Sequence, residues 1–124
     1  MKLDKDLVRE ILLALEADEG DPRELKNIEV PGWTDEQIAY TVCILAEGGL
    51  IEATDLSDMC NWDWRAQRLT YAGHEYVDTI RDGEVWRKTK EVAGKAGAFS
   101  LQLLLESGKA IVKQELVKYG VHLP

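Results

Sequence analysis

"WTDEQIAYTVCILAEGGLIEAT", residues 33–54, is the stretch on which the fold turns. Thr34 and Gln37 stand at capping-box spacing, where each side chain satisfies a backbone N–H left free in a first helical turn. Trp33 before the cap and Ile38 at the fourth helical position have the spacing of a hydrophobic staple. The helix is predicted to run to Glu47 and to stop at Gly48-Gly49, a C-cap pair. At about 100° per residue, Ile38, Val42, Leu45 and Ala46 share the face expected to meet the core. The opposite face carries Glu36, Tyr40, Cys43, Ile44 and Glu47. Leu50 to Thr54 reads as a strand leaving the helix and Trp64 to Leu69 as its return. Asp55 to Asp63 forms a long hairpin tip between them. A helix feeding a two-stranded hairpin is the pattern of a winged helix, whose pre-hairpin helix normally reads DNA.

Upstream, Leu7, Ile11 and Leu15, with Val8 and Leu12, predict an amphipathic helix from Asp4 to Ala17, capped by Asp4. Asp18 to Pro22 ends it with loop chemistry. Leu25 to Val30 reads as a short strand closed by Pro31-Gly32. Only one helix fits between that strand and the hairpin, where a full helix-turn-helix needs two. Downstream, Thr70 caps a helix reaching Arg81, interrupted by Asp82-Gly83. A further helix runs from Glu84 to Ala93. Ser100 caps a last helix, Leu101 to Tyr119, ended by Gly120. That helix carries Leu103, Leu104, Leu105, Ile111, Val112, Leu116, Val117 and Tyr119 over more than one face, so it is expected to be buried on several sides or to pair with a second copy. The fold class is α+β, mainly α: a winged-helix core with a two-stranded wing and a C-terminal helical extension. One domain over residues 1–124 is expected, with 1–82 as core and 83–124 as the added helices.

The 124 residues are 45% hydrophobic and 31% charged, which suits a globular core and not a disordered chain. No apolar run approaches the ~20 residues that cross a bilayer. The first ten residues are charged throughout, without a signal-peptide core, so a cytoplasmic location is expected. Cys43 and Cys60 are neither paired at short spacing nor close to His74 or His122, which argues for ordinary thiols and against zinc.

The net charge is −8, unevenly spread. Residues 31–64 hold seven acids and no Lys or Arg, whereas 65–95 hold seven bases and five acids. An anionic surface repels phosphate backbones. His74-Glu75 is followed by Asp78 at the place where a metalloprotease helix needs its second histidine. A histidine packed or hydrogen-bonded beneath the wing is the plainer reading. Phosphate-loop, dinucleotide and nucleophile-elbow motifs are absent. No catalytic residue, metal or cofactor is therefore assigned, and the chain is read as no enzyme.

Three stretches carry a family resemblance: "MKLDKDLVREILLALE", "WTDEQIAYTVCILAEGGLIEA" and "RLTYAGHEYVDTIRDGEVWRKTKE". Together they resemble the bacterial and phage family called domain of unknown function 2513. Leu69-Thr70, Gly73-His74-Glu75, Asp78, Ile80-Arg81 and Val85-Trp86 carry the most specific part. The resemblance implies a winged-helix-like fold and a phage or mobile-element accessory protein. It implies no activity.

Two functional readings stay open. The first is a non-enzymatic module binding a protein partner, a host-defence antagonist or DNA mimic among the forms it can take. Its contact residues would be Glu36, Tyr40, Ile44, Glu47, Leu56, Met59, Trp62 and Trp64, since Trp and Met are enriched in interfaces. A homodimer through the C-terminal helices belongs to this reading. The second is a DNA-binding regulator using Arg65, Arg68, Arg87, Lys88 and Lys90. These cations serve equally to pair with the acidic half of the chain.

Overall fold

The computed structural model describes residues 1–97 and 100–121. Among the described residues the architecture is mainly α, with five helices and one two-stranded antiparallel hairpin. In chain order these are α1 (Lys5–Ala17), α2 (Asp35–Glu47), β1 (Ile51–Asp55), β2 (Trp64–Leu69), α3 (Tyr71–Ile80), α4 (Gly83–Lys95) and α5 (Leu101–Lys118). The chain divides into two compact units, Met1–Val77 and Asp78–Pro124. Among the described residues, no helix is long and apolar enough to cross a membrane.

The helix starts follow from the caps. Asp4 accepts from the Leu7 N–H at 3.0 Å and starts α1. Thr34 and Gln37 form both halves of the capping box of α2, with the Gln37 N–H donating to Thr34 Oγ1 at 3.2 Å and the Thr34 N–H to Gln37 Oε1 at 2.9 Å. Asp82 and Ser100 start α4 and α5 in the same way.

The end of α2 is a Schellman motif. Gly49 has φ +77° and donates to Ala46 O, while the Leu50 N–H reaches back to Leu45 O at 3.0 Å. A side chain at Gly49 would be strained in this left-handed conformation although nothing lies within 4 Å of its Cβ position. Gly49→Ala is therefore expected to lower stability by about 1–2 kcal/mol, read as a lower urea midpoint with unchanged slope. An unchanged midpoint would show that the motif contributes nothing.

In the first unit, α1 and the hairpin both pack on α2. Leu7, Ile11, Leu12, Val42, Leu45, Ile51 and Val77 are almost wholly buried. Each such side chain contributes on the order of 1.5–3 kcal/mol by leaving water. Because α2 is covered from two sides, its buried face is wider than a single stripe. Thr41 and Cys43 are buried along with it, which corrects the placing of Cys43 on an exposed face.

The hairpin register contains a bulge. Glu52 pairs with Arg68 but Ala53 with Ala66, leaving Gln67 as the extra residue. Strict alternation from Trp64 and Ala66 would turn Arg68 inward. The extra residue resets the phase, so Leu69 is buried and Arg68 faces solvent opposite Glu52.

The strand expected over Leu25 to Val30 is reduced to one bridge, Lys26 to Ala66. The Lys26 ammonium donates to the carbonyls of Asp21 (2.5 Å) and Glu24 (3.0 Å), which fixes that residue beside β2. Residues 27–30 then leave the sheet toward a turn at Pro31-Gly32, where Gly32 has φ +94°.

In the second unit, α4 and α5 pack together. Leu104, Gly108 and Ile111 are buried, and a Cβ at Gly108 would approach Thr79 Cγ2 to 2.9 Å. Helix α5 is not buried on several sides: Leu103 and Val117 are about half exposed. Its buried residues, Leu104, Gly108 and Ile111, lie on one line along the helix.

Candidate functional site

The hairpin tip is an ordered extension of the ladder. The Leu56 N–H donates to Asp63 O at 2.7 Å, and the Asp58 N–H to Asn61 O at 2.9 Å. Asp55 and Asp58 each accept, at 2.8 Å, from the N–H two residues on. Ser57 Oγ accepts from the Asp63 N–H at 2.8 Å. These short polar side chains satisfy the turn locally. They also hold large apolar groups in solvent: Leu56 is 45% exposed, Trp62 50% and Met59 fully. The Trp62 and Trp64 rings lie 6.4 Å apart at 38°.

Beneath the tip lies a cleft of about 320 Å³. Its walls are residues 26–28, the first turns of α2 and the run from Asn61 to Ala66. Trp62 and Trp64 supply indole surface, and Asp35 and Glu36 supply carboxylates. Acids in the first turn of a helix are favoured by its macrodipole. Among the described residues, the buried Trp64 indole N–H has no acceptor. A buried donor left unpaired costs about 1–3 kcal/mol.

The eight expected protein-contact residues thus separate. Glu36, Trp62 and Trp64 converge on the cleft. Leu56 and Met59 sit on the tip and do not line it. Tyr40 and Ile44 are half-buried further along α2, and Glu47 at its end accepts from the Cys43 thiol at 3.6 Å. Asp35, Asn61 and residues 26–28 join the cleft although sequence reasoning did not single them out. The position of Asp35 beside the cap was the available signal.

The five expected cations are all engaged. Arg65 pairs with Asp63 at 2.9 Å, and Arg68 holds Glu52 with two N–H groups at 2.8 and 3.1 Å. In the second unit, Arg87 bonds Glu84 and Glu91, Lys88 lies 3.8 Å from Glu115, and Lys90 sits 5.5 Å from the Trp86 ring centre. The bond to Asp63 holds the Arg65 guanidinium above its ordinary pKa, and Glu84 does the same for Arg87. Exposed pairs of this kind add little stability, but each cancels a charge locally.

His74 is exposed and lines a shallow cleft with Gln67, Arg68 and Leu69. It lies beside its preceding strand, as expected, but is not packed beneath the hairpin. Its position on the outer side of α3 follows from the burial of Gly73, Tyr76 and Val77 on the inner side. Asp78 bonds Arg81. Among the described residues, no three His, Cys, Asp or Glu side chains are grouped to hold a metal ion. Cys43 and Cys60 are both free thiols.

The class defined by these observations is a small helix-and-hairpin domain whose cleft is lined by two indoles and by charged side chains of both signs. The chain belongs to the family described as Hypothetical protein (DUF2513), whose model matches residues 2–99. It is also similar to an uncharacterized protein of Haemophilus influenzae. The two are 34% identical over 117 residues, which covers 94% of this chain and 99% of that one. No solved structure matches the chain.

Proposed function

We propose that the chain is a non-enzymatic interaction module on a winged-helix scaffold, and that it binds a protein partner through the hairpin and the cleft beneath it. The order helix, bridging segment, helix, hairpin, helix supports the scaffold reading. The observation that carries the function is the hairpin tip: an ordered, hydrogen-bonded loop that keeps Leu56, Met59 and half of Trp62 in water. Large apolar groups held rigidly in solvent are the usual anchors of an interface. A role as an accessory protein of a phage or mobile element is part of this proposal. In that role the cation-free stretch 31–64 would present carboxylates where a host protein expects phosphates. A homodimer through α5 would draw on the exposed Leu103 and Val117.

Capture from host lysate tests this reading. The wild-type chain is expected to retain a partner, and Trp62→Ala to lose most of it, since anchoring tryptophans each carry about 2 kcal/mol or more. Equal retention by Trp62→Ala would remove the hairpin from the interface. The second reading, a DNA-binding regulator, is disfavoured by the local pairing of Arg65, Arg68, Arg87 and Lys88. Tight duplex binding at moderate salt that weakens in Arg65→Ala/Arg68→Ala would reverse that preference.

A further inference from the structure

The cleft marks the place where the sheet stops short. The Leu56 N–H to Asp63 O bond sets the phase of the hairpin ladder. In an antiparallel pair, residues alternate between exchanging bonds with the partner strand and pointing their N–H and C=O outward. By that phase, Trp62, Trp64 and Ala66 point outward from β1, toward the free edge. The Ala66 carbonyl confirms the direction, because it accepts from the Lys26 N–H at 2.7 Å. Past Lys26 the chain turns away. The main-chain groups of Trp62 and Trp64 on that edge have no protein partner among the described residues. An uncovered edge of this kind is a template for another strand.

The surroundings of the edge select its occupant. Side chains of alternate residues on a strand share a face, so Trp64 and Ala66 look the same way, and the Trp62 ring lies 6.4 Å from that of Trp64. The first turn of α2 borders the cleft with them and contributes Asp35 and Glu36, while the two cations of the lining are engaged elsewhere, Lys26 on the Asp21 and Glu24 carbonyls and Arg65 on Asp63. Neither carboxylate has an ion-pair partner among the described residues. Indole faces attract cations, and carboxylates beside them add charge complementarity.

We infer that the free edge of β2 at Trp64, continued by Trp62 just before the strand, takes an extended, basic segment of the partner protein as a third strand, with a Lys or Arg side chain lying between the two indoles and the carboxylates of Asp35 and Glu36. This rests on the protein-binding reading above and gives the partner its chemistry. Strand addition supplies affinity through main-chain bonds, and the alternate side-chain pockets supply specificity.

The probe is a labelled peptide of alternating lysine and valine, titrated against the full chain by fluorescence anisotropy. Two further peptides accompany it. One has glutamate for each lysine. The other keeps the lysines but carries N-methyl groups on the alternate amides that would face β2. The lysine peptide is expected to bind, the glutamate peptide not to bind, and N-methylation to weaken binding by about tenfold or more. Asp35→Asn/Glu36→Gln, which leaves the apolar core untouched, is expected to weaken the lysine peptide by about tenfold. Equal binding of the methylated peptide would rule out strand addition. Equal binding of the glutamate peptide, or an unchanged affinity in the double variant, would rule out the cationic occupant. A free chain that is a dimer in solution and becomes monomeric with Trp62→Ala would assign the edge to a second copy and overturn the inference. If none of the peptides binds while lysate capture still depends on Trp62, this inference fails and the protein-binding reading stands.

Discussion

Gly73→Ala is expected to unfold the first unit or to lower its stability by about 3 kcal/mol or more, the upper end of overpacking costs. A Cβ at this position would collide with the Leu50 carbonyl oxygen and stand 3.1 Å from its carbon. The obstacle is backbone, so no rotamer change relieves it. Nor can the helix simply lift away. The Thr70 N–H donates to the same Leu50 carbonyl at 3.0 Å, and the Thr70 hydroxyl donates to Gly49 O at 2.5 Å. These bonds tie the start of α3 to the end of α2, and Tyr76 and Val77 are buried one turn later. Moving α3 outward by the required distance breaks the ties and opens the core behind them. Gly83→Ala is the matched control, since nothing lies within 4 Å of its Cβ position. Urea unfolding followed by tryptophan fluorescence reads both. A Gly73→Ala chain as stable as Gly83→Ala would mean that α3 has slack the close approach does not suggest.

This position shows how far the sequence could be read. Gly73-His74-Glu75 stood out as a family signature, but no local rule says why a glycine belongs there. The reason is a contact with Leu50, far away in the chain, and local patterning carries no information about it. The caps were different. Asp4, Thr34 with Gln37, and Ser100 act within three residues of themselves, and each starts its helix where the spacing places it. The return strand was legible because Trp64 to Leu69 is bounded by turn chemistry. The bulge at Gln67 was not, since it is fixed by the need to bury Ala66 and Leu69 together. Cys43 was misplaced because an estimate of one core-facing stripe does not anticipate a helix covered from two sides.

The site was legible in parts and not as a whole. Tryptophans on a loop and an acidic stretch without cations are properties of composition, and both were visible. Their convergence was not. It depends on residues 27–30 leaving the sheet, a departure that alternating hydrophobicity concealed by suggesting a full strand. Had that strand formed, it would have covered the edge at Trp64 and filled the cleft. The same local failure of pairing that corrects the fold reading therefore creates the candidate binding surface.

Alkali is expected to unfold the first unit through Tyr76. This side chain is 2% exposed, and burial pushes its phenol well above the ordinary value, because a phenolate there would lose its hydration. In the unfolded chain the same phenol titrates near about 10. Between that pH and its raised native value, the unfolded state has released the proton and the native state has kept it. The native state then binds more protons, so stability falls as pH rises. The contribution is fully present below about pH 10 and declines by about 1.4 kcal/mol for each further pH unit. Cys43 acts in the same direction from its lower ordinary value. Burial raises its thiol first, and the neighbouring Glu47 carboxylate adds to the effect. Tyr76→Phe removes the phenol and keeps the ring. Its urea midpoint should therefore fall less steeply than that of the wild type between about pH 9 and about pH 11. The comparison is of slopes, so a constant stability difference from the lost hydroxyl does not enter it. Phenolate absorbance supplies the independent check. The native chain has four tyrosines, and Tyr76 should be the one whose ionisation waits for unfolding. Identical slopes, together with a wild-type phenolate signal that exceeds the Tyr76→Phe signal before unfolding, would show that the phenol ionises in place and that burial does not hold its proton.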